Sequence, residues 1–247
     1  MNDKTTTTLT MMDGPADRRT FLRGSGILTV VGASMGVAAL APARAQADTP
    51  PGGIVSVRRP GRGGDAFKGN LRTQFEDIQD HENAHVAALV NVLGKDARPK
   101  PTFQVLEQKS HADFVFVSQT LENVGVGAYL GAAPAILSRG YLAAAGSIAL
   151  IEARHAGFLN FVVDSPITAG IKNLTVGQSF ESPLTAEDVR KLAGPFIKSL
   201  NGGPAVDYSA TMFTEMNDIA ILNFALALEY LEADFYNINV PKFYKPI

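Results

Sequence analysis

Glu82-Asn83-Ala84-His85 and Glu152-Ala153-Arg154-His155 are the two stretches on which the fold and the function turn. Residues three apart on a helix share a face, so each pair can aim a carboxylate and an imidazole at one point. Both pairs sit inside apolar stripes of helical period. Around the first pair the stripe is Leu71, Phe75, Ile78, then Leu89 and Val92. Around the second it is Tyr141, Ala145, Ile148, then Leu159 and Val162. Two more segments carry the same period, one through Val115, Ser118, Glu122, Gly125 and Tyr129, the other through Leu222, Ala225, Glu229, Glu232 and Tyr236.

The spacing predicts helices over 68–93, 112–132, 140–162 and 217–236, with Gly94 and Pro134 as stops. The opposite face of the last one (Ile221, Phe224, Leu228, Leu231, Phe235) is also apolar, so that helix should be buried nearly all round. No period-2 stretch competes. The expectation is an all-α four-helix bundle spanning 65–240. Its 95–110 connection holds Pro99 and Pro101 and is long enough to cross the bundle, whereas the second and third helices should be antiparallel neighbours. The excursion 164–215 should hold one short helix, capped by Thr185 and running through Asp188 to Leu192.

Each stripe carries a carboxylate at mid-length: Glu82, Glu122, Glu152 and Glu229, with Glu232 close by as an alternative to Glu229. An unpaired buried carboxylate is costly, and almost no Lys or Arg lies on these stripes to compensate. Four carboxylates balance two divalent cations. The chain has no Cys, so a metal must be held by nitrogen and oxygen donors. Of the four histidines, His85 and His155 lie on the stripes; His81 is one position off its stripe and should face solvent. His111 is three turns from Glu122, about 16 Å along the axis and out of reach. Arg154 points off its stripe. Tyr129 and Tyr236 each follow a stripe glutamate by seven residues, and helical side chains lean toward the N-terminus. Each phenol could therefore reach back to a carboxylate or imidazole at the metal level.

At these residues, and at Leu121-Glu122-Asn123-Val124-Gly125-Val126 and Leu222-Asn223-Phe224-Ala225-Leu226-Ala227-Leu228-Glu229-Tyr230-Leu231-Glu232, the chain resembles the secreted branch of the ferritin-like superfamily, which includes the desiccation-related proteins. Glu-x-x-His on two helices and Glu on the other two is the pattern of its di-iron and di-manganese members. The resemblance implies Glu82, His85, Glu122, Glu152, His155 and Glu229 as ligands of two Fe or Mn ions. It also implies handling of O2, peroxide or ferrous ion, with a non-enzymatic stress or desiccation role as the rival. The segment ending in Leu-Glu-Tyr-Leu-Glu comes first in the family and last here, which resembles a circular permutation.

Ahead of the helices, Asp17-Arg18-Arg19-Thr20-Phe21-Leu22, a weakly apolar run from Gly24 to Leu40, and Ala43-Arg44-Ala45 resemble a twin-arginine export signal, with Arg18 and Arg19 as its pair and cleavage near Ala45. The expectation is a periplasmic or secreted protein that uses the twin-arginine export machinery, without a permanent membrane span. Residues 46–64, rich in Pro, Gly and Arg, read as an irregular tail. Nothing in the formal net charge of −2 suggests a nucleic-acid partner, which would need a basic face. The oligomeric state, a homo-oligomer included, is left open.

Overall fold

Each helix after the first starts on a hydroxyl cap that satisfies an otherwise orphaned backbone N–H. Ser110 accepts from Asp113 N, Ser138 from Tyr141 N, Thr185 from Asp188 N and Thr214 from Asn217 N. The computed structural model describes residues 68–172 and 179–244. The twin-arginine segment with Arg18 and Arg19, the site near Ala45 and the 46–64 tail lie outside the described residues.

Four long helices make the bundle: α1 (Lys68–Leu93), α2 (His111–Ala132), α3 (Arg139–Val162) and α5 (Glu215–Phe243). The short α4 (Ala186–Ala193) lies in the excursion, and Thr185 and Asp188 close it with a reciprocal capping box. The fold is all-α, as the periodicity requires. α1 packs along α5, and α2 along α3.

Aromatic contacts fix the directions. Phe75, early in α1, lies 4.8 Å from Phe114, early in α2, and 5.2 Å from Tyr244, just past the end of α5. Phe158, late in α3, approaches the same Phe75 ring at 6.1 Å. Hence α1 and α2 run one way and α3 and α5 the other, and the 94–110 connection must travel the length of the bundle. That connection is tied down at several points. Asn239 accepts from Gln108 N and donates to Leu106 O, and Lys242 donates to Gln108 O.

Two features depart from the sequence reading. The last helix continues about two turns past Tyr236 and takes in Pro241. Those turns are held by the Asn239 and Lys242 contacts, which lie far away in sequence. A two-stranded antiparallel ribbon, β1 (Thr102–Phe103) with β2 (Ile197–Ser199), clips the crossing connection to the excursion. Strands this short cannot display a period of two.

The core is in two parts. One contains Phe75, Ile78, Phe114, Leu159, Phe235 and Tyr236. The other contains Leu89, Leu93, Tyr129, Ala145, Ile148 and Leu222. On every long helix the mid-length glutamate falls between residues of the two clusters, so a polar layer is sandwiched between two apolar ones. No helix among the described residues is long and apolar enough to cross a membrane.

The excursion seals one side of α2. Leu184 N donates to Gly127 O, and a Cβ on Gly131 would stand 1.9 Å from the Leu184 carbonyl oxygen. Gly131→Ala should therefore destabilise the protein by about 1–3 kcal/mol. Gly146→Ala in α3, where nothing lies within 4 Å of the new methyl, should be neutral or stabilise by up to about 1 kcal/mol. Denaturant midpoints of the two variants check the contrast; equal effects would mean that Leu184 does not pack on α2.

Candidate metal centre

Glu82 and His85 enter the core from α1, Glu122 from α2, Glu152 and His155 from α3, and Glu229 from α5. Each is buried because the apolar stripe above and below it is buried. The three-residue spacing then places each Glu-x-x-His pair on the inward face.

The six side chains converge as two groups of four. Glu82, His85, Glu152 and Glu229 offer donor atoms all within 4.8 Å of one another, and so do Glu82, Glu122, Glu152 and His155. Glu82 and Glu152 belong to both. His85 Nδ1 lies 3.2 Å from Glu82 Oε2, 3.1 Å from Glu152 Oε1 and 3.2 Å from Glu229 Oε2. His155 Nδ1 lies 3.1 Å from Glu82 Oε1 and 3.0 Å from Glu122 Oε2. Two carboxylates are shared, and each half adds one histidine and one glutamate of its own. Glu232 is buried but stands outside both groups. It lies beside Glu152, next to the space that Gly125 leaves by lacking a side chain.

The tyrosines act crosswise. Tyr129 donates to Glu229 Oε1 at 2.5 Å, and Tyr236 donates to Glu122 Oε1 at 2.6 Å. Each phenol thus holds the glutamate of the helix opposite, leaving the other oxygen of that carboxylate turned to a histidine. Burial, followed by the charge of the adjacent glutamate, pushes both phenols well above the ordinary tyrosine value, so they remain donors.

His81 does not simply face solvent. It is exposed, yet its Nδ1 lies 2.9 Å from His155 Nε2, and the two rings stack with centroids 5.2 Å apart. Burial and the neighbouring His155 and His85 hold it below the ordinary imidazole value. The sequence signal for it was slight: a third histidine one residue ahead of the first motif. His111 instead contacts Tyr244 OH at 2.7 Å, at the far end of the bundle. Arg154 is exposed, as its position off the stripe requires.

Charge explains what the site can hold. The Lys and Arg ion pairs of the described residues engage other carboxylates, such as Glu76, Asp234 and Asp207. Burial, then the charge of Glu122, pushes Glu82 up to about 7. Burial, then Glu82 and Glu122, pushes Glu152 well above the ordinary carboxylate value. Burial and the same crowd of carboxylates do this to Glu232 as well. Burial also works to raise Glu122, but the His155 charge and the hydrogen bonds from His155 and Tyr236 outweigh it and leave Glu122 low. The imidazoles move the other way. Burial would lower His155, yet Glu122 and Glu82 bring it up to about 10. His85 is likewise raised against burial by Glu152, Glu229 and Glu82. These shifts favour protons at the positions where cations would fit. Glu82 Oε1 and both oxygens of Glu152, on the two shared carboxylates, are buried and accept no well-directed hydrogen bond; the imidazoles 3.1 Å from Glu82 Oε1 and Glu152 Oε1 approach them only as ion pairs. Orphaned acceptors in an all-N/O donor set match the needs of a divalent first-row metal pair.

A family model for the ferritin-like domain matches residues 62–165 and 217–245, more than half of the chain. The chain belongs to this family. The unmatched stretch between the two segments is the excursion that carries α4 and β2. A search of curated proteins and a search of solved structures each returned no match. A buried Glu/His cluster of this kind could hold metal ions, which fits a ferritin-like protein.

A metal entering this site must displace protons from the imidazoles and from Glu82. Mn(II) uptake should therefore release protons into solution and weaken as the pH falls from about 10, where His155 takes up a proton, and more steeply below about 7, where Glu82 does. Calorimetry in buffers of different ionisation enthalpy measures the proton count; uptake independent of pH between 5 and 8 would place the metal elsewhere.

Proposed function

We propose that this chain is an exported ferritin-like dimetal-carboxylate protein that binds two Fe or Mn ions and acts in oxidation, peroxide or iron handling. The observation that carries the proposal is the sharing of Glu82 and Glu152 between two four-donor groups. Glu82 and Glu152, shared in this way, would hold two ions near each other, and such a pair would supply two-electron chemistry with O2 or peroxide. The chain supplies the rest. Tyr129 and Tyr236 fix the terminal carboxylates Glu229 and Glu122, so that each half-site keeps its shape without metal. The two apolar clusters keep bulk water away from the carboxylates, which strengthens their hold on a cation.

A second reading has its own support. The six donor residues are all buried, His85 being the most exposed at 8%. A site this closed suits a structural or sequestered metal in a non-enzymatic stress or desiccation protein. Where there is turnover, the same closure limits the substrate to small species such as O2, peroxide or ferrous ion. The protein loaded anaerobically with Fe(II) or Mn(II) is tested for peroxide disproportionation and for ferrous oxidation. Turnover that is lost in Glu152→Gln supports the redox reading. Full metal occupancy without turnover of either substrate would favour the sequestering one.

Two further elements complete the proposal. The α5 helix would be the family's first helix moved to the C-terminus, and its packing along α1 supports this, since α1 would then follow it directly. Export would use the twin-arginine machinery, which carries folded proteins and so permits metal loading beforehand, with release of the mature chain near Ala45 into the periplasm or beyond. The sequence Arg18-Arg19-Thr20-Phe21-Leu22 supports this route. Arg18→Lys with Arg19→Lys should leave the full-length chain in the cytoplasm; mature protein still appearing outside it would refute the route.

A further inference from the structure

The two halves of the site supply matching donors, and beside those donors they differ at Glu232, where α2 has Gly125, and at the residue ahead of each motif glutamate. The residue ahead of the motif glutamate is His81 in α1 and Ile151 in α3. His155 turns Nδ1 toward Glu82 and Glu122, and its Nε2 lies 2.9 Å from His81 Nδ1. The rings lie nearly parallel, with an interplanar angle of 8°. A metal on His155 Nδ1 obliges the ring proton to sit on Nε2, and that N–H then donates to the His81 Nδ1 lone pair. At the corresponding place in α3, Ile151 has no side-chain atom able to accept such a bond. Both rings also line a surface pocket of about 220 Å³ between α1 and α3. His81 is thus the outermost group of a chain that runs from solvent through His155 to Glu82 and Glu122.

We propose that His81 is a positioning residue for the half-site of Glu122 and His155, and that it makes the two metal positions unequal. By accepting the Nε2–H it fixes the tautomer and the ring angle that present Nδ1 to the ion. The half-site of His85 and Glu229 does not depend on it. Partners of this kind typically change metal affinity by about 10–100-fold. The proposal rests on the dimetal reading and goes beyond it by assigning the inequality to one residue.

The test is anaerobic titration of the full-length protein with Mn(II) alone, followed by calorimetry, and with Co(II), followed by its visible absorption. His81→Phe keeps a ring against His155 but removes the acceptor; His81→Asn keeps an acceptor near the Nδ1 position. The wild type should take up two ions. In His81→Phe one of the two should bind about 10–100-fold more weakly with the other unchanged, and the Co(II) spectrum of the weakened position should shift. His81→Asn should restore both. Two unchanged sites in His81→Phe would overturn the assignment while leaving the dimetal reading intact. Equal weakening of both sites, or weakening that Asn does not rescue, would also overturn it by showing a packing role. Failure of the wild type to bind two ions would instead overturn the reading on which it rests.

Discussion

Five carboxylates in the middle of a helical core are the constraint around which this molecule is arranged. Glu82, Glu122, Glu152, Glu229 and Glu232 are all 3% exposed or less. Burying one uncompensated charge already costs more than a domain of this size can lose, so the core is stable only where each charge is neutralised or paired. In the structure the compensation is assembled locally, from two imidazoles raised by their acidic neighbours, two phenols that donate to Glu229 and Glu122, and upward shifts on Glu82, Glu152 and Glu232 that favour their neutral forms. Three carboxylate oxygens, all on the glutamates shared between the half-sites, accept no well-directed hydrogen bond even so. A folded protein seldom leaves such groups orphaned without a functional reason.

The architecture follows from this polar layer. Apolar clusters above and below it hold the four helices in register, and the directions of those helices let two Glu-x-x-His pairs meet two lone glutamates. The crosswise tyrosines are a consequence of that arrangement. A side chain that leans toward its own N-terminus returns to the level of the glutamate two turns back. In a bundle of opposed helices, the glutamate it meets there belongs to the other lone-glutamate helix.

Much of this was legible in the sequence, and what was not has a physical cause. The stripes of α1, α2, α3 and α5 could be read because buried faces impose a 3.6-residue period, and the glutamates stood out because nothing on those faces balances them. The α4 cap could be read because Thr185 and Asp188 have the spacing of a reciprocal box. Glu229 and Glu232 could not be separated, because residues three apart share a face and only the neighbouring helices decide which one meets His85. The partner of each tyrosine was hidden for the same reason. Spacing gives the level along an axis and says nothing of which helix lies opposite. His81 was read as a surface residue because it is one; its contact with His155 depends on how closely α1 and α3 approach. The helical turns around Pro241 rest on Asn239 and Lys242 gripping the crossing connection, long-range contacts that local propensity cannot register.

Elemental analysis of the mature protein, purified from its own compartment without added metal, bears most directly on the claim that metal compensates the buried carboxylates. About two iron or manganese ions per chain is the expected result. A content near zero that persists after anaerobic reconstitution with either metal would contradict it, and would mean that protons alone neutralise Glu82, Glu152 and their neighbours in the working protein.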